Sequence, residues 1–387
     1  MTVKLNVTHT PVNIKFATAK EDIDKWNSFV RSCPSTSFYA LADYLNSYAS
    51  FGVQTRYLLA CNGQGGIVGG AALMIFHFGP FIWIQVPHGP VVWETKSTTA
   101  NQVVEAVENY AIETGAMFLQ FSPFEAAPFS SSWKERADAF GLRYDPGILS
   151  SANIGVSNVL QNLGFRQIFD SRILATNREG QIVQLNVPDL LACFRQGTRR
   201  DINYSLKSNL KVVKVESLIQ LQACYNLLKE NAMEHNYPVR PWETFRTAIY
   251  SSIQNDSAIV LLAEYNSTIL ATIVVLFGGT RGYYVMGGTK RVKSDKMYPA
   301  HRLQYTAMQE TLRRGYFQYD LTSIVQGGVA DFKRGFRPIY YRLTAPYTKI
   351  YRPFRFQLYK TLYPYLKRKK HFIGKLLYTT GSFIVKK

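Results

Sequence analysis

The chain has 387 residues, 47% hydrophobic and 14% aromatic, which is enough apolar mass for two packed cores and argues against a single small domain or a disordered chain. Its net charge of +19 is lopsided: Asp331 is the last acidic residue, and Phe332 to Lys387 carry 15 of the 45 lysines and arginines, so a polyanionic partner is expected, either nucleic-acid phosphate or an anionic membrane surface. No apolar run reaches membrane-spanning length, and Met1 to Lys15 alternates polar and apolar residues, so a cytoplasmic chain is expected, neither secreted nor spanning.

In chain order, Val12 to Phe16 alternates as a strand, and Glu21 to Ser32 reads as a helix with acids at its start and Trp26, Phe29 and Val30 on its apolar side. Phe38 to Tyr48 is aromatic and helical in period. Arg56 to Cys61 and Ile67 to Phe76 read as strands joined by the turn Asn62-Gly63-Gln64-Gly65-Gly66. A third strand over Phe81 to Val86, a helix over Thr99 to Thr114 and a strand over Met117 to Phe121 complete the first set.

The second half repeats this order. Leu58-Leu59-Ala60 recurs as Leu261-Leu262-Ala263, Gly115 as Gly315, and Gly164-Phe165-Arg166 as Gly335-Phe336-Arg337. The third pair lies about thirty residues closer together than the first two, so the first copy should carry an extra segment within Pro123 to Leu160. Helices, hairpin, strand, helix, strand is the order of an N-acetyltransferase-like sheet, so the fold class expected is α/β (α+β) with two tandem N-acetyltransferase (GNAT)-like domains. Acetyl-CoA requires a glycine-rich turn before the central helix of that sheet. The corresponding places hold Trp93 to Thr98 and Lys293 to Tyr298, which disfavours ordinary CoA-dependent acetylation.

Tyr298 to Pro338 is the most informative stretch. Leu303, Ala307, Met308 and Leu312 recur at helical spacing, Gly315 closes that helix, Tyr316 to Leu321 alternates as a strand, and a loop with Thr322, Ser323, Gly327 and Gly328 leads to Asp331-Phe332-Lys333-Arg334-Gly335-Phe336. The reading is a reactive lysine presented from a turn. Pro299, Gly315, Tyr319-Asp320, Gly327-Gly328, Phe332-Lys333 and Gly335-Phe336 together resemble the pattern of the Fem family, aminoacyltransferases that add amino acids from aminoacyl-tRNA to peptidoglycan precursors. The resemblance runs from Phe38 to about Thr344. Thr198-Arg199-Arg200-Asp201-Ile202 with Lys207 matches the basic helix opening the family's second domain, and no coiled-coil arm follows Arg200, as in a compact form of the family. Two departures stand out: the family's tyrosine four residues beyond its arginine is Thr244 or Phe245 here, and a lysine expected early in the first domain falls near Tyr48.

The resemblance implies aminolysis of an ester, which requires an acceptor amine held against the carbonyl and an oxyanion stabilised as it forms. No covalent nucleophile is needed, in keeping with a sequence that has no Ser-His-Asp or Cys-His constellation. Lys333 is the expected catalytic cation, stabilising the tetrahedral state or holding the tRNA terminus, and Phe332 a stacking surface for the terminal adenine, while Arg240, Tyr284 and Arg200 are expected to bind substrate, Arg240 by gripping a diphosphate. Asp320 reads as a base or, more simply, as the cap of the following turn. His88 reads as a turn residue and His235 as a helix-end one. Cys33, Cys61, Cys193 and Cys224 are widely spaced and form no cluster with histidines, so no metal, zinc site or disulfide framework is expected. Nor is a cofactor expected, aminoacyl-tRNA being the donor substrate. The acceptor partner would be a UDP-linked or lipid-linked muropeptide, and the protein a monomer. The rivals are a GNAT-like acyltransferase of envelope polysaccharide or lipid synthesis with another acyl donor, and an inactive binding homologue.

The domain boundaries expected are 1–174, 175–345 and a basic aromatic segment, 346–387. Within that segment Pro353 and Pro364 each open a short basic amphipathic helix. Residues 364–387 are expected to dock on the inner face of an anionic membrane, with the alternative that the first helix packs back on domain one and the rest is solvated.

Overall fold

A computed structural model describes residues 12–93, 97–145, 147–149, 155–168, 178–290, 297–324 and 326–363. The expected second tail helix and the basic residues expected to meet a membrane, 364–387, lie outside the described residues, as do most of the two expected CoA-turn segments.

The first half runs β1 (Asn13–Phe16), α1 (Lys20–Ser32), α2 (Ala42–Leu45), β2 (Gln54–Cys61), β3 (Ile67–Phe78), β4 (Phe81–Pro87), β5 (Val91–Val92) and α3 (Ser97–Glu113). It continues with β6 (Phe118–Ser122), α4 (Ser131–Ala139), β7 (Arg143–Tyr144), α5 (Val156–Asn162) and β8 (Arg166–Gln167). The second half begins with β9 (Glu179–Gln184), α6 (Gln196–Lys207), β10 (Lys211–Lys214), α7 (Leu218–Glu234) and α8 (Trp242–Gln254). There follow β11 (Ala258–Tyr265), β12 (Thr268–Gly278), β13 (Arg281–Thr289), α9 (Pro299–Arg313), β14 (Gln318–Asp320), α10 (Gly328–Arg334), β15 (Ile339–Arg342) and β16 (Tyr347–Ile350), and residues 353–363 are again helical. Phe38 to Tyr48 is less regular than its period predicts: two 3-10 turns flank the four-residue α2, because Ser37 caps the first turn and the aromatic rings here bury against the second half of the chain.

The chain has an α/β fold built on two sheets with a common plan. One runs β1-β2-β3-β4-β6-β16-β8 and the other β10-β11-β12-β13-β14-β9-β15-β7, so the internal repeat is real at the level of strand order. Each has an antiparallel half ending in one parallel junction, β4 with β6 and β13 with β14. The strands beyond the junctions are exchanged across the expected boundaries. β16, from the expected C-terminal segment, pairs with β6 and β8 in the first sheet, while β7, from the extra segment of the first copy, joins the second sheet beside β15. The helix over 353–363 lays Phe356 and Tyr359 on Phe81, Met117 and Phe118 of the first half. One apolar core, including Trp26, Phe29 and Phe38 from one half and Phe245, Val274 and Tyr283 from the other, joins the two units.

The two junctions differ in a way that opens a cavity. Five residue pairs join β4 to β6, but only Arg281, Gly282 and Tyr283 of the nine-residue β13 pair with β14, so Tyr284 to Thr289 have no strand on that side among the described residues. A bulge between Val274 and Val275 of β12, which leaves Val285 opposite the break, adds twist at the same place.

Candidate active site

The unpaired stretch of β13 forms one wall of a cavity of about 990 Å³ between the two halves. Phe38, Tyr39, Tyr44 and His88 contribute from the first half, Arg240 from the segment just before α8, and Asp320, Phe332 and Lys333 from the end of β14 and from α10. Of the five site residues expected from the sequence, Lys333, Phe332, Arg240 and Tyr284 line this one cavity. Arg200 does not. It lies on the exposed face of α6, beside Asp201 at 2.9 Å, in a separate shallow concavity.

Lys333 corrects the expectation of a turn lysine. It sits in the last turn of α10 and is only 4% exposed. Its Nζ donates to the carbonyl oxygens of Leu321 at 2.7 Å and Ser323 at 2.9 Å, so the side chain organises the loop after β14 as well as facing the cavity. An ammonium has three N–H donors, and these bonds use two. Burial holds the Lys333 pKa down at about 8, against the partial opposition of the nearby Asp320 carboxylate. The Tyr284 ring centroid is 5.8 Å from Nζ, and Thr322 Oγ1 donates to the Tyr284 carbonyl at 3.0 Å, tying the loop to the open edge of β13.

Gly335, read as part of the turn, has ordinary right-handed helical angles. A side chain is excluded there because a Cβ would collide with Thr198 of α6, and the Arg195 amide at the head of α6 donates to the Gly335 carbonyl at 2.9 Å. Phe332 packs edge-on against His301 and Phe336, with centroids at 4.8 and 5.3 Å.

Asp320 is fully buried. Oδ1 accepts from the Thr322 amide at 2.6 Å, the turn cap expected from the sequence, and Oδ2 accepts from the Tyr341 hydroxyl at 2.7 Å. Burial drives its pKa up to about 6, opposed by the Tyr341 and Thr322 hydrogen bonds and by the Arg281 and Lys333 charges. Arg281 is also fully buried. Its Nε donates to Gln318, its guanidinium lies 5.0 Å from the Phe124 ring centroid, and neither terminal nitrogen has a hydrogen-bond partner among the described residues.

Arg240 is wedged between aromatic rings, with its guanidinium carbon 5.0 Å from the Tyr44 centroid and 4.5 Å from that of Tyr48. Nη1 donates to Ser47 Oγ at 3.2 Å, while Nη2 has no partner among the described residues, leaving a donor for an anion. Tyr48, at the departure noted in the first half, therefore supplies a platform for the arginine. Thr244 and Phe245, at the other departure, are buried, and Thr244 Oγ1 lies 2.9 Å from Ser50 Oγ.

Tyr341 and Arg281 escaped the sequence reading, and His88 was read only as a turn residue. His88 is 3% exposed, its Nδ1 lies 2.5 Å from Ser37 Oγ, and burial with the nearby Arg281 charge pushes its pKa down to about 3, so the imidazole is neutral. Pro87 and Gly89 around it gave the turn reading but no sign that the ring turns inward. No group of three or more His, Cys, Asp or Glu residues able to hold a metal occurs among the described residues. No helix among them is long and apolar enough to cross a membrane.

No curated protein matches the sequence. The crystal structure of FemX superposes with a TM-score of 0.71 at 15% identity, covering 90% of this chain and 100% of that one. A conserved protein of unknown function from Bacteroides thetaiotaomicron gives a TM-score of 0.51 at 13% identity, covering 87% and 99%. L-PGS from Bacillus licheniformis gives 0.50 at 11%, covering 86% and 92%. A family model described as the FemAB family matches residues 247–364, a span that holds the open edge of β13, Asp320, Phe332 and Lys333. Residues 247–364 thus match the FemAB family model, and the chain has a fold similar to that of FemX along nine tenths of its length.

Proposed function

We propose that this protein is an aminoacyltransferase that moves an amino acid from aminoacyl-tRNA to an amine of a peptidoglycan precursor. The observation that carries the reading is the placement of Lys333: a buried ammonium with two of its protons committed to the loop and a third left for a ligand, at the wall of a cavity within the FemAB-matching segment. In the reaction the acceptor nitrogen forms a bond to the ester carbonyl carbon, the carbon–oxygen bond to the ribose breaks, and the proton lost by nitrogen ends on the leaving ribose oxygen. The free Lys333 proton stabilises the tetrahedral oxyanion. Asp320 supplies the counter-charge that keeps Lys333 protonated, and the unpartnered Arg240 nitrogen suits a phosphate of a UDP-linked or lipid-linked acceptor. Pro299 at the first turn of α9 removes one of the amides that would face the pyrophosphate of CoA, which favours a donor other than acetyl-CoA.

A donor screen tests the reading. Purified protein is offered charged tRNA, acyl-carrier thioesters and CoA thioesters with a muropeptide acceptor. Transfer from charged tRNA is expected, and transfer from CoA or carrier thioesters alone would overturn the assignment.

A further inference from the structure

Consecutive residues of α10 line different cavities. Phe332 and Lys333 face the candidate active site, whereas Arg334 belongs to a second cavity of about 500 Å³ that Arg143, Arg195 and Arg337 also line. No aspartate or glutamate among the described residues lines it. Arg334 is tied to Asp331 and to the Phe140 carbonyl, but Arg143, Arg195 and Arg337 make no side-chain hydrogen bond or ion pair among the described residues, and all three are exposed. Arg337 is moreover held at φ 51°, a conformation costly for any residue but glycine. Four guanidinium groups gather around one concavity with only the Asp331 carboxylate tied to any of them, so a bound anion would relieve their mutual repulsion.

The positive surface continues from there. Arg195 caps the start of α6, whose next residues place Arg199, Arg200 and Lys207 around the neighbouring concavity with the exposed Tyr204, stacked at 6.2 Å on Tyr298. Guanidinium groups that follow one track beside an exposed aromatic ring suit a nucleic-acid backbone with unpaired bases.

We infer that the arginine cavity and the outer face of α6 bind the phosphodiester backbone of an RNA. The inference rests on the donor reading above: an RNA whose end enters the active site at Lys333 meets the arginine cavity one residue further along α10. Arg200, absent from the active-site cavity, then belongs to the path of the donor.

The test is fluorescence anisotropy of labelled, uncharged tRNA with the full chain, titrated with salt. Arg143→Gln with Arg195→Gln, and separately Arg200→Gln with Lys207→Gln, alter exposed residues and should leave the thermal midpoint unchanged. Each pair is expected to weaken binding roughly tenfold and to flatten the dependence of log affinity on log salt by about 0.7 to 0.9 for every phosphate left without its cation. Bound RNA should also slow maleimide labelling of Cys193, which lines the cavity and is exposed. Absence of RNA binding by the wild type, or unchanged affinity and salt slope in both variants, would overturn the inference. So would loss of binding to phosphatidylglycerol vesicles with RNA binding intact, which would make the cavity a lipid-headgroup site. Donor transfer separates the two readings. RNA binding lost in the variants, with no aminoacyl transfer by the wild type, removes the donor assignment and leaves the RNA surface. Undiminished transfer by the variants at subsaturating donor removes the RNA surface alone.

Discussion

Tyr341 donates its hydroxyl proton to Oδ2 of Asp320 across 2.7 Å, with both residues buried, so a side chain of β15 sets the ionisation of a carboxylate on β14. That bond is among the influences holding the Asp320 pKa down against burial. Tyr341→Phe should therefore raise it, shifting the acid limb of a plot of kcat/KM against pH upward from about 6 and costing about 1–3 kcal/mol of stability from the unsatisfied carboxylate. An unmoved acid limb in the variant would remove Asp320 from the rate profile.

The basic limb is expected from Lys333. Activity should fall above about pH 8 as the ammonium loses its proton. Stability follows proton binding. Between the ordinary carboxylate range near pH 4 and about 6, folded Asp320 keeps a proton that the unfolded chain releases, so its contribution falls as pH rises. Between about 8 and the ordinary lysine value of about 10.4, the unfolded chain binds the extra proton, so stability rises with pH. Denaturant titrations of wild type and Lys333→Met across pH 8 to 10 should differ by this slope.

Lys333→Ala should lower turnover by about 10²–10³, the usual loss for one oxyanion donor. It should also destabilise the protein by about 1–3 kcal/mol, because the Leu321 carbonyl loses its partner in the interior. Single-turnover rates and chemical denaturation on the same preparation check both effects. A variant as stable as the wild type would contradict the buried geometry.

Arg240→Lys keeps the charge but not the planar fork held between Tyr44 and Tyr48. KM for a diphosphate-bearing acceptor should rise about tenfold with little change in kcat, the mark of binding lost equally in ground and transition states. Steady-state kinetics with acceptors that carry and lack the diphosphate distinguish this from a general loss of activity.

Gly335→Ala should cost about 1–3 kcal/mol by pushing α10 against Thr198, and Thr198→Ala should restore part of it. A double-mutant cycle in urea measures the coupling. Additive losses would show that the two helices do not meet there.

Local chemistry made much of this molecule readable. The hairpin at Asn62 to Gly66, the helix ending before Gly315 and the alternation around Tyr319 are encoded over a few residues, and they appear at nearly the expected bounds. Lys333, Phe332, Arg240 and Tyr284 were nameable as candidates because they fall on a resemblance, and they do meet in one cavity. What the sequence could not carry was depth and partnership. Nothing near Arg281 announces that its guanidinium will be sealed away from water, and the Pro87-His88-Gly89 turn looks alike whether its imidazole faces water or Ser37. The helical setting of Lys333 was missed because Gly327 and Gly328 read as loop while Val329 to Arg334 closes a short helix.

The exchange of β16 into the first sheet bears on how the chain is made. Among the described residues, Phe118 to Phe121 of that sheet find their antiparallel neighbours only in Tyr347 to Ile350, more than 220 residues later, and β8 has no other strand to pair with. During synthesis the first half waits with an open strand edge until Tyr347 to Ile350 have left the ribosome, a long loop closure that slows folding and leaves the edge exposed to other chains meanwhile. A nascent chain halted before Tyr347 therefore has an incomplete first sheet, however correct its local structure, and cutting the protein between its two repeats yields two fragments, each lacking a strand that the other holds.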